Sequence, residues 1–117
     1  MKRSITISIL AFSLFGCSEK LEKPAKPAVF LEQKQMEELL VEIHISDAIA
    51  QEKAHGNLDL EKNLSEQGLN QILQNHHLKK QAFDSLYSYY IKQPDLMNTM
   101  YQNIIIDLSK KQAQFAH

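Results

Sequence analysis

His44 and Asp47 stand three residues apart in the stretch Ile43-His44-Ile45-Ser46-Asp47-Ala48. On a helix that spacing is about one turn and about 60° of arc, so the carboxylate could accept a hydrogen bond from the imidazole. A His/Asp pair is half of a proton relay and also the start of a metal site. Neither is completed here. No Ser lies in a nucleophile turn, and the single Cys, Cys17, has another use. The expectation is therefore no enzyme, no metal and no cofactor. Asp47 is the odder of the two. At 100° per residue it falls at about 20° from Met36, inside a stripe made by Leu40, Ile43 and Ala50. A bare carboxylate there would cost several kcal/mol. Asp47 must then be partnered, protonated or partly wet, and the favoured reading is an acid satisfied by a tyrosine hydroxyl, a histidine or a lysine, with Tyr90 the first candidate. In the other reading it is a cleft acid with a raised pKa that takes a ligand.

His76 and His77 could in principle join His44 on zinc. Adjacent helical side chains point about 100° apart, however, and rarely share an ion. The favoured reading is one half-buried His near a helix C-terminus, where the dipole favours its charge, and one exposed His. Tyr87, Tyr89, Tyr90 and Tyr101 make the aromatic content of the domain with Phe83 and Phe30. Tyr89 lies about 240° from Phe83, off the apolar stripe, and is expected to be exposed. Ile106 likewise points away from the stripe of its helix. These two are the expected partner surface.

Helices must position all of these groups. Apolar residues from Leu31 onward recur at helical spacing. A first helix is predicted from about Glu32 to Ala54, stopped by Gly56-Asn57, with a second stripe at Val41, Ile45 and Ala48. A second runs from Leu60 or Ser65 to His76, with Leu69, Ile72 and Leu73 on one face. A third spans Lys79 to Lys92, with Phe83, Leu86, Tyr87, Tyr90 and Ile91 inward. Pro94 ends it and Asp95 opens a fourth, to about Gln112, with Met97, Met100, Tyr101, Ile104, Ile105 and Leu108 inward. No strand alternation of useful length occurs. The predicted fold is all-α, four helices with short connections.

The chain has 117 residues, 44% of them hydrophobic and 23% charged, with Lys+Arg 13 against Asp+Glu 14. That is one domain, and the formal net charge of −1 argues against a nucleic-acid binder. The N-terminus reads as an address. Met1-Lys2-Arg3 is a positive start, and Ile5 to Phe15 is an apolar run interrupted by Thr6, Ser8 and Ser13. At 1.5 Å per residue it spans about 16 Å, against about 30 Å of bilayer hydrocarbon, so it suits a signal segment better than a membrane span. The run closes on Leu14-Phe15-Gly16-Cys17, which resembles the lipobox of bacterial lipoproteins, with Phe15 bulkier than usual. The resemblance implies residues 1–16 as signal peptide and Cys17 as the lipidated (palmitate-bearing) mature N-terminus. Several acyl chains would anchor the domain stably, where one holds only marginally. Ser18, in place of the Asp of inner-membrane retention, points to the outer membrane. Ser18-Glu19-Lys20-Leu21-Glu22-Lys23 faintly resembles the acidic tags of surface lipoproteins, and the periplasmic or surface face is left open. Residues 17–30, with Pro24 and Pro27, read as the lipidated Cys and an extended tether, and residues 31–117 as the helical domain.

Three stretches carry a family resemblance: Met36-x-x-Leu39-Leu40-x-x-Ile43-His44-x-x-Asp47-Ala48, then Phe83-Asp84-Ser85-Leu86-x-x-Tyr89-Tyr90, then Pro94-x-Leu96 with Tyr101 before an aliphatic run. Together with the leader and the Lys-Pro tether, they resemble the small Bacteroidota lipoproteins known as domain of unknown function 4296. The turn Asn75-His76-His77-Leu78-Lys79 departs from it in lacking a Gly and a capping Ser or Thr. The resemblance implies a helical domain in a Gram-negative envelope and supplies no activity. The expected function is a lipid-anchored, non-enzymatic interaction or accessory module of an outer-membrane assembly with a protein partner. The rival is a small-molecule or metal-binding lipoprotein using Asp47, His44 and a neighbouring tyrosine.

Overall fold

The chain enters its first helix through a reciprocal cap. Glu32 holds an extended backbone (φ −63°, ψ 158°), and its N–H donates to Gln35 Oε1 at 3.0 Å. Leu31 before the cap and Met36 in the fourth helical position both join the core, stapling the entry. The structure, a computed structural model, describes residues 24–115. It contains α1 (Gln33–Ala54), α2 (Leu58–Asn75), α3 (Lys80–Ile91) and α4 (Pro94–Phe115), with no strand among the described residues. The all-α, four-helix expectation holds. The signal segment, Cys17 and its lipidation lie outside the described residues. None of the described helices is long and apolar enough to cross a membrane.

α1 ends where His55 turns left-handed (φ 47°) and Gly56 follows at φ 86°, a region a side chain enters only at a cost. Asn57 then caps α2, its Oδ1 accepting the Leu60 N–H at 3.0 Å, with Asp59 and Glu61 favourably placed in the first turn. That cap starts α2 at Leu58, earlier than the apolar spacing suggests, because Leu58 and Leu60 are exposed and contribute nothing to the buried stripe. α2 closes with the Leu78 N–H donating to Leu73 O (2.8 Å) and the His77 N–H to Gln74 O (3.1 Å). This is a Schellman close, with buried Leu73 and Leu78 at its two ends. The left-handed position that usually takes Gly is filled by His77 (φ 54°). Pro94 opens α4 as first helical residue, where its missing N–H costs no hydrogen bond.

α1 and α2 form an antiparallel hairpin, since Glu42 meets His76 and Ser46 meets Gly68. A Cβ on Gly68 would lie 2.0 Å from Ser46 Oγ, so the missing side chain sets how closely the helices approach. α4 runs parallel to α1: Glu37 pairs with Asn103, and further along Ile45 shares a groove with Leu108. α1 and α3 each neighbour α2 and α4. The core draws Met36, Leu39, Leu40 and Val41 from α1, Leu73 from α2, Phe83, Leu86 and Tyr90 from α3, and Met97, Met100 and Ile104 from α4, with Leu78 from the link. It therefore sits over the first half of α1. Three residues expected inward are outside it: Ile91, Tyr101 and Ile105 are exposed. α4 is flanked by α1 and α3 alone, so its buried arc is narrower than its apolar stripe.

Candidate functional site

Asp47 and His44 occupy the far half of α1 and both are exposed. Tyr90 lies at the other end of the fold, its hydroxyl donating to Leu31 O at 2.5 Å. The structure does not bring the three together, and it corrects the expectation of a buried Asp47. The reason lies in the neighbours. α3 delivers Tyr90 to the foot of α1, and the main core takes no α1 residue beyond Val41. Beyond Val41 the buried residues of α1 are the small Ala50 and Ala54, and Asp47 between them and the main core is exposed. Among the described residues no group of three or more His, Cys, Asp and Glu is placed to hold a metal.

The tyrosine cluster is structural. Phe30 stacks on Tyr90 (6.1 Å, 21°) and meets Tyr89 edge-on (5.3 Å, 88°), while Tyr89 stands edge-on to Tyr90 at 5.1 Å. Tyr89 is thus half-buried under Phe30 and is not the exposed anchor expected from its place on the wheel. A non-helical neighbour covers it, which a single-helix projection cannot register. Lys26 Nζ lies 4.7 Å from the Phe30 ring centre, adding a cation–π contact. Phe30 therefore packs into the domain although its sequence context reads as tether. Burial pushes the Tyr90 phenol up to about 12, helped by Tyr89, Glu32 and Glu37. The Tyr101 phenol is also raised, first by its hydrogen bond with Tyr87 and then by burial.

His76 is the C-terminal cap residue of α2, with Nε2 3.0 Å from Glu42 Oε1, and both side chains are well exposed. It ties the α2 terminus to α1, as a helix-end histidine should. Its neighbour His77 is also exposed and serves the turn.

The most unusual side chain is Glu37, which the sequence reading did not single out. It is a charged residue at 7% exposure. Its Oε1 accepts from Gln33 Nε2 (2.8 Å), one turn back on α1, and from Asn103 Nδ2 (3.0 Å) across on α4. Two donors offset the desolvation that would otherwise exclude the carboxylate. A signal was present: Glu37 lies at about 100° on the wheel, between Leu40 at about 40° and Val41 at about 140°. Glu37, Gln33 and Asn103 line an open cleft of about 490 Å³ between α1 and α4. Ile106, 51% exposed as its position on α4 predicts, forms its apolar wall. Further along the same seam a second groove of about 350 Å³ is lined by Ile45, Ala48, Ile49 and Leu108, with His44 at its margin. The arrangement offers a fixed carboxylate, amide groups and an exposed apolar wall along one cleft.

No curated protein and no solved structure matches this chain. The family model described as a domain of unknown function (DUF4296) matches residues 27–114, Phe30 and all four helices up to the last turn of α4 included, and the chain belongs to that family.

Proposed function

We propose that this protein is a lipid-anchored component of the cell envelope, held in the outer membrane through Cys17, that works as a non-enzymatic interaction module of an envelope assembly. The α1–α4 seam carries the reading. It joins open grooves, the exposed side chains of Ile49 and Ile106, and one buried, hydrogen-bonded carboxylate on a rigid helical pair. Apolar side chains beside fixed polar groups are what a docking partner uses for area and for register. The apolar leader that ends at Gly16-Cys17 supports the anchor.

The test is capture of the full-length lipidated protein from its native envelope in mild detergent, read by mass spectrometry, beside fractionation of Cys17→Ser. The expected result is a stoichiometric protein partner for the native chain, lost on Ile106→Asp, and release of Cys17→Ser from the membrane fraction or its retention as unprocessed precursor. A monomer free of partners overturns the module. A Cys17→Ser protein that stays in the membrane at unchanged size overturns the anchor.

A further inference from the structure

The cleft at Glu37 is chemically one-sided. Both amide donors that reach Glu37 go to Oε1, and among the described residues none hydrogen-bonds Oε2. Each amide NH₂ of Gln33 and Asn103 spends one of its two N–H groups on the carboxylate, and the carbonyl oxygens, Gln33 Oε1 and Asn103 Oδ1, remain as acceptors. With Glu37 Oε2 and the two carbonyl oxygens against one remaining N–H on each amide, the floor presents more acceptors than donors. Lys34 and Lys110 also line the cleft, yet neither ion-pairs with Glu37, and with Glu38 and Asp107 the walls hold three carboxylates against two ammonium groups. What satisfies such a floor is a planar, donor-rich cation. A guanidinium carries five N–H donors in a fixed fork matched to a carboxylate, is less strongly hydrated than an ammonium, and arrives on an apolar stem. The exposed Ile106 side chain supplies the surface for that stem.

We propose that this cleft is the receptor for an arginine side chain presented by the protein partner, with the guanidinium on Glu37 Oε2 and the arginine methylenes on Ile106. The proposal rests on the interaction-module reading above and names the chemistry of its partner.

The test uses the full chain, isotopically labelled in detergent micelles, followed by amide NMR during titration with N-acetyl-arginine amide. The citrulline and lysine counterparts are run alongside. Saturable shifts are expected at the side-chain amides of Gln33 and Asn103 and at the backbone of Ile106. The citrulline probe, which keeps the shape and removes the charge, should bind at least tenfold more weakly, as should the lysine probe, which keeps the charge and removes the fork. Glu37→Gln should weaken arginine binding at least tenfold. Should that variant lose its native spectrum, Ile106→Ser replaces an exposed side chain and should weaken binding at least threefold with the fold intact. Absence of saturable shifts, or equal binding of the citrulline or lysine probe, overturns the assignment. A partner captured from the envelope whose binding is unchanged by Glu37→Gln also overturns it, while leaving the module reading standing.

Discussion

Tyr90 shows how one residue ties the irregular N-terminal segment to the bundle. Its ring is 2% exposed, and its hydroxyl is the donor that satisfies Leu31 O just before the α1 cap. Tyr90→Phe keeps the ring and orphans that carbonyl, so it should cost about 1–2 kcal/mol at neutral pH in urea unfolding. The pH dependence has a definite sign. The phenol titrates near 10 in the unfolded chain and about 12 in the folded one. Between those values the unfolded state gives up a proton that the folded state keeps, so the Tyr90 contribution is complete below pH 10 and falls as pH rises through that window. Unfolding measured from pH 9 to 12 should show a steeper decline for the native protein than for Tyr90→Phe. Identical slopes would mean that the phenol is not held neutral by its burial. Glu37 and Asp47 make the complementary pair at this scale. Both carry carboxylates at apolar-stripe positions of α1, and only Glu37 is buried, held by Gln33 and by Asn103 from α4.

At the level of the element, helix ends decide boundaries that periodicity leaves open. The break between α2 and α3 is made by a histidine in a backbone region that costs an L-residue about 1–2 kcal/mol. Hydrogen bonds to Leu73 O and Gln74 O, and burial of Leu73 and Leu78, hold it there. His77→Gly removes that strain and leaves the Schellman bonds available. It should stabilise the protein by about 0.5–1 kcal/mol, seen as a higher urea midpoint at unchanged slope. A destabilised variant would show that the imidazole of His77 makes a contact worth more than the strain. The start of α2 teaches the same lesson. Asn57 sets it through one side-chain bond, while the first-turn leucines face solvent.

Taken as a whole molecule, the domain begins before its first helix. Ala25, Pro27, Ala28 and Val29 line a groove of about 700 Å³ with one face of α3, and Phe30 packs beside Tyr89 and Tyr90. Phe30→Ala should cost about 1–3 kcal/mol, less than a fully buried ring because Phe30 is only half-covered. A change within about 0.5 kcal/mol would place Phe30 with the tether after all. This segment lies beside α3 and lines neither groove of the α1–α4 seam. The Pro-containing stretch reads as extended from its own composition. That it lies against α3 depends on aromatic rings that come from residues about sixty positions later.

What the residues determine alone is what depends on neighbours in the chain. Helical periodicity, the stops at Gly56-Asn57 and Pro94, the all-α class and the outward Ile106 follow from local spacing and backbone sterics, and the family could be recognised from the stretches around His44 and Tyr90. What only the tertiary structure decided is which stripe is covered at which height. A helical wheel collapses the axis. It gives Asp47 the same environment as Met36 and sends Tyr101, Ile105 and Ile91 inward, yet all four are exposed. α3 packs its core residues with the first half of α1 and ends at Leu31, and α4 runs parallel to α1. The same arrangement brings Asn103 to Glu37 across sixty-six residues of chain. The buried carboxylate is thus not at the residue the spacing marked but at one it passed over.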